Sequence, residues 1–234
     1  MTRGQWTRAA AALIAGAGTA MVGGAVAPTA NAQGCPDVEV VFARGTSEQA
    51  GVGGVGQAFV DAVRAQAAPR SVGVYAVNYA AANNFEQRED IARTVIDGVR
   101  DEADHVQAMA ANCPNTRMVL GGYSQGAVVS GFTTSDVVPS AVPAAIAPRP
   151  MPTEVADHVA AVVLFGTPSG EFLGRYGAPA ITIGPAYADK TLQLCAQGDT
   201  ICSGASDGGP TVAHALYPVN GMVTEGATYA VGRL

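Results

Sequence analysis

The sequence predicts an α/β protein built on a parallel sheet of about five strands with helices on both faces. Five valine-rich apolar runs, bounded by turn residues, lie at 38–43, 72–77, 117–123, 160–165 and 191–195. Their apolarity is continuous rather than alternating, as expected of strands buried on both faces. Between the first two runs Val55, Phe59 and Val63 recur every four residues, with Asp61 and Arg64 on another face. Between the next two, Ile91, Val95, Val99, Ala103 and Val106 keep a similar helical spacing. Strand, helix and strand in alternation give a parallel sheet covered on both sides. In such sheets ligands bind beyond the carboxyl ends of the strands.

Taken in chain order, residues 1–32 read as a secretory signal peptide. Arg3 and Arg8 supply a positive start, 9–26 is an Ala/Gly-rich apolar stretch, and Ala30-Asn31-Ala32 is an A-x-A cleavage site. The stretch is close to the roughly 18 residues that span a membrane. Its only bulky members are Leu13, Ile14, Met21, Val22 and Val26, so no stable membrane anchor is expected. Lipidation at Cys35 is disfavoured, because Ala32-Gln33-Gly34 offers no branched apolar residue three places before it. Cleavage after Ala32 leaves 33–234, about 200 residues, which fits one domain burying roughly 70% of its unfolded surface.

The first strand leads into Arg44-Gly45-Thr46, and then Gly51-Val52-Gly53-Gly54-Val55-Gly56 satisfies G-x-G-x-x-G and opens a helix. A dinucleotide site fits poorly there: the glycines stand seven residues past the strand, and the second strand ends at Asn78 rather than an acidic ribose ligand. The segment reads instead as a flexible loop over the active-site mouth.

The third strand runs directly into Gly122-Tyr123-Ser124-Gln125-Gly126, a G-x-S-x-G sequence in a strand, sharp turn, helix context. That context holds a serine hydroxyl exposed at the top of a sheet. Ser124 is therefore the candidate nucleophile, and it requires a base and an acid that orients the base. Of three histidines, His105 sits in a polar-faced helical stretch and His158 just before a strand, so both read as surface or helix-end residues. His214 follows Gly208-Gly209-Pro210 downstream of every strand and is the natural base. Asp199, after the fifth strand and between Cys195 and Cys202, is the favoured acid; Asp207, in a glycine-rich loop, competes with it. The chain order Ser, Asp, His is that of the α/β-hydrolase topology.

The passage from Pro139 to Pro152 holds five prolines and no repeat, which suggests an ordered surface loop whose Val142, Ile146 and Met151 pack or edge a lipid-binding groove. Residues 222–231 read as a closing helix.

Four cysteines in an exported chain suggest two disulfides. Cys35 and Cys113 precede neighbouring strands at the amino-terminal edge of the sheet, whereas Cys195 and Cys202 belong at the opposite edge. The pairs that need no crossing of the molecule are Cys35 with Cys113 and Cys195 with Cys202. No cysteine or histidine spacing matches a zinc site, so neither metal nor cofactor is expected. Removing Arg3 and Arg8 deepens the net charge from −6 to −8, with Lys190 the sole lysine. Such a chain has no electrostatic footprint for nucleic acid or an anionic membrane, and the expected partner is a neutral ester or lipid.

The chain resembles the cutinase family, and within it the actinobacterial, mycobacterial-type cutinase-like secreted serine esterases. The matching residues are Val41-Phe42-Ala43-Arg44-Gly45-Thr46, Gly122-Tyr123-Ser124-Gln125-Gly126-Ala127, Cys195 to Cys202 around Asp199, and His214-Ala215-Leu216-Tyr217. The resemblance implies a three-layer α/β-hydrolase without a large lid that hydrolyses carboxylic esters through Ser124, Asp199 and His214. It also implies an oxyanion hole from the backbone N–H groups of Thr46 and Gln125. Many fungal members carry serine where Thr46 stands, which puts the side-chain contribution there in doubt. The resulting expectation is a monomeric esterase or lipase, secreted or cell-wall associated, acting through an acyl-enzyme on lipid or polyester-type esters. An acyltransferase using the same site and a non-catalytic secreted binding protein are the alternatives.

Overall fold

The computed structural model describes residues 34–140, 142–205 and 209–234. The expected signal peptide and Asp207 lie outside the described residues. In chain order the elements are β1 (Val38–Ala43), α1 (Gly53–Ala67), β2 (Val72–Ala76), α2 (Arg88–Asn112), β3 (Arg117–Tyr123), α3 (Gln125–Thr133), a 3-10 turn (Thr153–His158), β4 (Val159–Phe165), α4 (Gly170–Arg175), α5 (Pro185–Ala188), β5 (Thr191–Leu194), α6 (Val212–Ala215) and α7 (Met222–Val231). The strands form one sheet in the order β2-β1-β3-β4-β5, and every neighbouring pair is parallel.

Alternation along each strand sends successive side chains to opposite faces, and each face is buried by helices. Val40, Phe42, Val163 and Phe165 point to the side covered by α1 and α7, where Phe59 meets the rings of Phe42 and Phe165 at 5.9 and 5.4 Å. Val41, Leu120, Val162 and Leu164 point to the side covered by α2 and α3, against Val99, Val106 and Val129. Every residue of β1 and β4 is buried, while β2 at the sheet edge is only half-buried. The continuous apolar runs thus reflect two-sided burial, and truncating Phe42 to Ala would remove about 3–5 kcal/mol.

Two disulfides brace opposite edges of the sheet. Cys35–Cys113 (Cα–Cα 5.5 Å) ties the chain before β1 to the turn before β3, and Cys195–Cys202 (Cα–Cα 5.7 Å) closes the loop after β5. Among the described residues no helix is long and apolar enough to cross a membrane. Because all five strands run the same way, the loops after β1, β3 and β5 emerge on one edge. Those loops carry Thr46, Ser124 and Asp199.

Candidate active site

Ser124 stands between the last residue of β3 and the first of α3, with φ 55° and ψ −117°. For a residue with a Cβ this is a strained conformation costing about 1–3 kcal/mol, and the surrounding packing imposes it. Two glycines make the turn possible. A Cβ on Gly122 would lie 2.2 Å from the carbonyl oxygen of Gly126, and one on Gly126 would lie 1.9 Å from that of Ala43. Close approach of the elbow to the end of β1 is what brings the Thr46 loop beside Gln125. Ser124 N–H donates to the Phe165 carbonyl at 2.9 Å, fastening the turn to β4.

The loop after β1 is held by contacts that sequence reasoning did not foresee. Glu48 accepts from Gly45 N–H at 2.6 Å through one carboxylate oxygen and from Gly54 N–H at 2.7 Å through the other. Arg44 donates to the carbonyls of Glu48 and Tyr79, at 3.0 and 2.5 Å, and the Tyr79 hydroxyl donates back to the Arg44 carbonyl. The glycine-rich 51–56 segment is therefore pinned by an internal carboxylate, not left as a loose loop. A carboxylate already occupies the helix amino terminus where a pyrophosphate would sit. Gln125 is buried, and its side-chain amide donates to the Ala82 carbonyl at 3.0 Å. As the first residue of α3, Gln125 has a backbone N–H without an intrahelical acceptor. Thr46, Ser124, Gln125 and His214 all line one cavity.

His214 lies on the short helix α6 rather than in an open loop, and its Nε2 is 2.9 Å from Ser124 Oγ. Its Nδ1 is 2.8 Å from Asp199 Oδ2. Asp199 is 0% exposed. Burial pushes its carboxyl upward, but hydrogen bonds from His214, from the Tyr217 hydroxyl and from Ile201 N–H outweigh burial and hold it below the usual carboxylate range. An ionised Asp199 can only accept, so Nδ1 carries the proton and Nε2 is free to accept from the serine hydroxyl. Asp207 lies outside the described residues.

Tyr217, quoted in the sequence only as part of the His214–Tyr217 match, makes contacts that sequence reasoning did not foresee. It is wholly buried, donates to Asp199 Oδ2 at 2.7 Å and accepts from Ala196 N–H at 3.0 Å. Burial raises its phenol above the ordinary tyrosine value, so it remains a donor. Tyr123, inside the elbow, donates to the His214 carbonyl at 2.6 Å. The Thr211 hydroxyl donates to the Gly198 carbonyl at 2.8 Å, joining the segment before His214 to the loop of Asp199. Gly166, at φ +56°, leaves room for both rings: a Cβ there would come within 3.1 Å of His214 and of Tyr217. The other histidines lie elsewhere. His105 is not a bare surface residue, since it bonds Glu39 at 2.9 Å and stacks on Tyr75 at 3.5 Å, and His158 bonds the Pro114 carbonyl at 3.1 Å.

Comparison with known proteins follows the same lines. A family model described as Cutinase matches residues 34–234. The "Probable carboxylesterase Culp7" of Mycobacterium tuberculosis is 61% identical over 169 residues, covering 72% of this chain and 88% of the relative. The "Phospholipase Culp4" of the same organism is 42% identical over 238 residues, covering 99% and 96%. Among solved structures, a Trichoderma reesei cutinase in complex with a phosphonate inhibitor superposes with a TM-score of 0.62 at 30% identity, covering 85% of this chain and 76% of that one.

Proposed function

The chain belongs to the cutinase family and is a serine carboxylic-ester hydrolase, and we propose that Ser124, His214 and Asp199 carry its chemistry. The observation that carries the assignment is the unbroken relay from Ser124 Oγ to His214 Nε2 (2.9 Å) and from His214 Nδ1 to Asp199 Oδ2 (2.8 Å). In this reading the serine hydroxyl attacks the ester carbonyl as His214 takes its proton. The imidazolium so formed is stabilised by the ionised Asp199 and then protonates the leaving alcohol. The backbone N–H groups of Thr46 and Gln125 receive the oxyanion; the glycine-constrained elbow and the Glu48 clamp favour fixed donors, which is where such stabilisation has its greatest effect. Water then attacks the acyl-enzyme with His214 again as base, releasing the acid.

The substrates we assign are neutral esters of lipid or polyester type. Relatives named carboxylesterase and phospholipase support ester hydrolysis over acyl transfer or a non-catalytic role. Export with removal of residues 1–32, leaving a single domain from Gln33, and a location outside the cell or on its wall belong to the same proposal. Two disulfides and no free cysteine among the described residues support it, since such bonds persist in oxidising compartments. The test is Ser124→Ala with p-nitrophenyl butyrate as substrate and a fluorophosphonate as label. Both hydrolysis and labelling should be lost from a folded protein, with kcat falling about four or more decades. Retention of a tenth of the wild-type rate would remove Ser124 from this role.

A further inference from the structure

Among the described residues three that are not glycine have a positive φ: Ser124 at 55°, Ser47 at 61° and Ala81 at 48°. Such a conformation is costly for a residue with a Cβ and persists only where the surroundings over-determine it, most often at functional sites. Ser124 is the elbow, and Ser47 directly follows Thr46. Ala81 belongs to the segment after β2, which no step of ester hydrolysis uses. Yet Ser47 N–H donates to the Ala81 carbonyl at 2.9 Å, so two of the three strained residues are bonded to each other.

We propose that residues 79–82 are a splint that fixes the spacing of the two oxyanion donors, with Arg44, Tyr79 and the side chain of Gln125 as positioning residues. The proposal rests on the reading of Ser124 as nucleophile and of the Thr46 and Gln125 N–H groups as donors.

The two donors come from segments far apart in the chain, and one short segment bonds to both. The Tyr79 carbonyl accepts from Arg44 at 2.5 Å, the Ala81 carbonyl from Ser47 at 2.9 Å and the Ala82 carbonyl from the Gln125 amide at 3.0 Å. Arg44 and Ser47 bracket Gly45 and Thr46, so the first donor is held from both sides. Gln125 carries the second donor on its own backbone, so its side chain fixes that donor directly. The Gln125 Oε1 is buried with no partner. An orphaned acceptor costs stability, so the amide is retained for the bond it donates to Ala82.

The tie at Tyr79 is reciprocal, since its hydroxyl donates to the Arg44 carbonyl. Arg44, Tyr79, Ala81 and Gln125 are all buried, and hydrogen bonds shielded from water hold their geometry more firmly than exposed ones. Among the described residues Arg44 has no carboxylate partner. Its guanidinium bonds the Glu48 and Tyr79 carbonyls instead and stands 5.1 Å from the centre of the Tyr79 ring. Burying a cation without a counter-charge is expensive, and what this one achieves is the placement of backbone on either side of Thr46. The packing of Gly126 on the end of β1 sets how close the two segments come. The splint sets where their N–H groups point.

The experiment compares Tyr79→Phe and Gln125→Met with the wild type, all rates being referred to the fraction labelled by a fluorophosphonate so that misfolded protein does not count. Neither change removes a donor, because both donors are backbone N–H groups. For each protein kcat and KM are measured with p-nitrophenyl butyrate, and Ki with a trifluoromethyl alkyl ketone and with the methyl ketone of the same chain. In the trifluoromethyl adduct Ser124 Oγ bonds the carbonyl carbon, its proton passes to His214 and the carbonyl oxygen becomes an oxyanion. The methyl ketone forms no such adduct and reads groove binding alone.

Losing an oxyanion donor outright costs about a hundred- to a thousandfold in kcat, so a donor kept but loosened should cost about tenfold. Each variant should show that fall with KM little changed, weaken the trifluoromethyl ketone by the same factor and leave the methyl ketone as it was. Unchanged kcat in both variants, or equal weakening of the two ketones, overturns the splint, since its bonds then hold a loop or shape a groove without placing the donors. Hydrogen exchange on the wild type reads it even where a variant fails to fold: Ser47 N–H should exchange with the slow amides of β1, and exchange at open-loop rates overturns the proposal. If the wild type is not labelled at Ser124, the reading of that residue fails first, and the exchange of Ser47 N–H alone decides whether 79–82 holds the loop after β1.

Discussion

Among the described residues two carboxylates are 0% exposed, Asp199 in the loop after β5 and Glu102 at the contact between α2 and α3, and their surroundings push them in opposite directions. Burial disfavours the charged form of both. Asp199 meets it with donors on each oxygen: Ile201 N–H on Oδ1, and His214 and the Tyr217 hydroxyl on Oδ2. Its carboxyl stays below the ordinary range. Among the described residues Glu102 has only the hydroxyls of Ser130 and Thr133, both on Oε2, and none reaches its Oε1. Burial, offset in part by those two hydroxyls and assisted by nearby Asp101, pushes it up to about 8. The charge of a buried carboxylate is thus set by the number of donors aimed at it, and only the region around Ser124 supplies enough of them.

The sharpest way to break the comparison is to exchange charge for amide at each site. Asp199→Asn should lower kcat by about four decades, because the imidazole loses the acceptor that fixes its tautomer. Asp207→Asn should leave the rate near wild type, and the reverse pattern in a butyrate ester assay would assign the acid to the other loop. A smaller effect is expected from the brace around Asp199. Replacing Cys195 and Cys202 by serine removes a bridge that spans seven positions in sequence. In the loop-entropy model so short a ring contributes about 2–3 kcal/mol. Since the bridge also encloses Asp199, kcat should fall well beyond what lost stability explains, with the circular-dichroism spectrum unchanged. Equal rates in the double variant would show that the carboxylate needs no brace.

These two regions also mark what the sequence made legible. The sheet, both helical layers and the order of Ser124, Asp199 and His214 follow from local signals: continuous apolar runs, helical spacing, and glycines on either side of one serine. The five strands differ from the sequence reading by a residue at most at either end. What stayed hidden depends on contacts between segments far apart in the chain. Tyr217 reaches Asp199 across 18 positions, Tyr79 reaches Arg44 across 35, and Ser130 reaches Glu102 across 28. No periodicity reports such pairs. Glu48 was closer to legible, an acid two residues past Thr46 and just before a run of glycines, but the glycines read as a flexible loop and gave no hint that a carboxylate already in the chain would clamp them.

Removing one donor from Asp199 tests whether the count matters. Tyr217→Phe keeps the ring that packs against Phe165 and His214 and deletes only the hydroxyl. Hydrogen bonds to charged groups contribute about 1.5–3 kcal/mol, so kcat should fall roughly ten- to a hundredfold with KM little changed. A fall in KM alone, or no change in kcat, would mean that His214 and Ile201 suffice.

The least effect on rate and the clearest effect on pH dependence are expected at Glu102. Its folded value of about 8 lies above the ordinary 4.5, so between those two pH values the folded protein holds a proton that the unfolded chain has released. Stability from this group is therefore full below about pH 4.5 and is lost as pH rises toward 8, at up to about 1.36 kcal/mol per pH unit. Asp199 acts in the other direction. Its folded value lies below the ordinary 3.8, so its contribution is present above that pH and is lost as pH falls through the folded value. Glu102→Gln keeps the shape, removes the titration and supplies an amide that is neutral at every pH. Thermal unfolding followed from pH 5 to pH 8 should show a declining Tm in the wild type and a flatter profile in the variant, with ester hydrolysis preserved. If the two profiles run parallel, Glu102 is ionised in the folded state, donors absent from the described hydrogen bonds reach Oε1, and the contrast with Asp199 collapses.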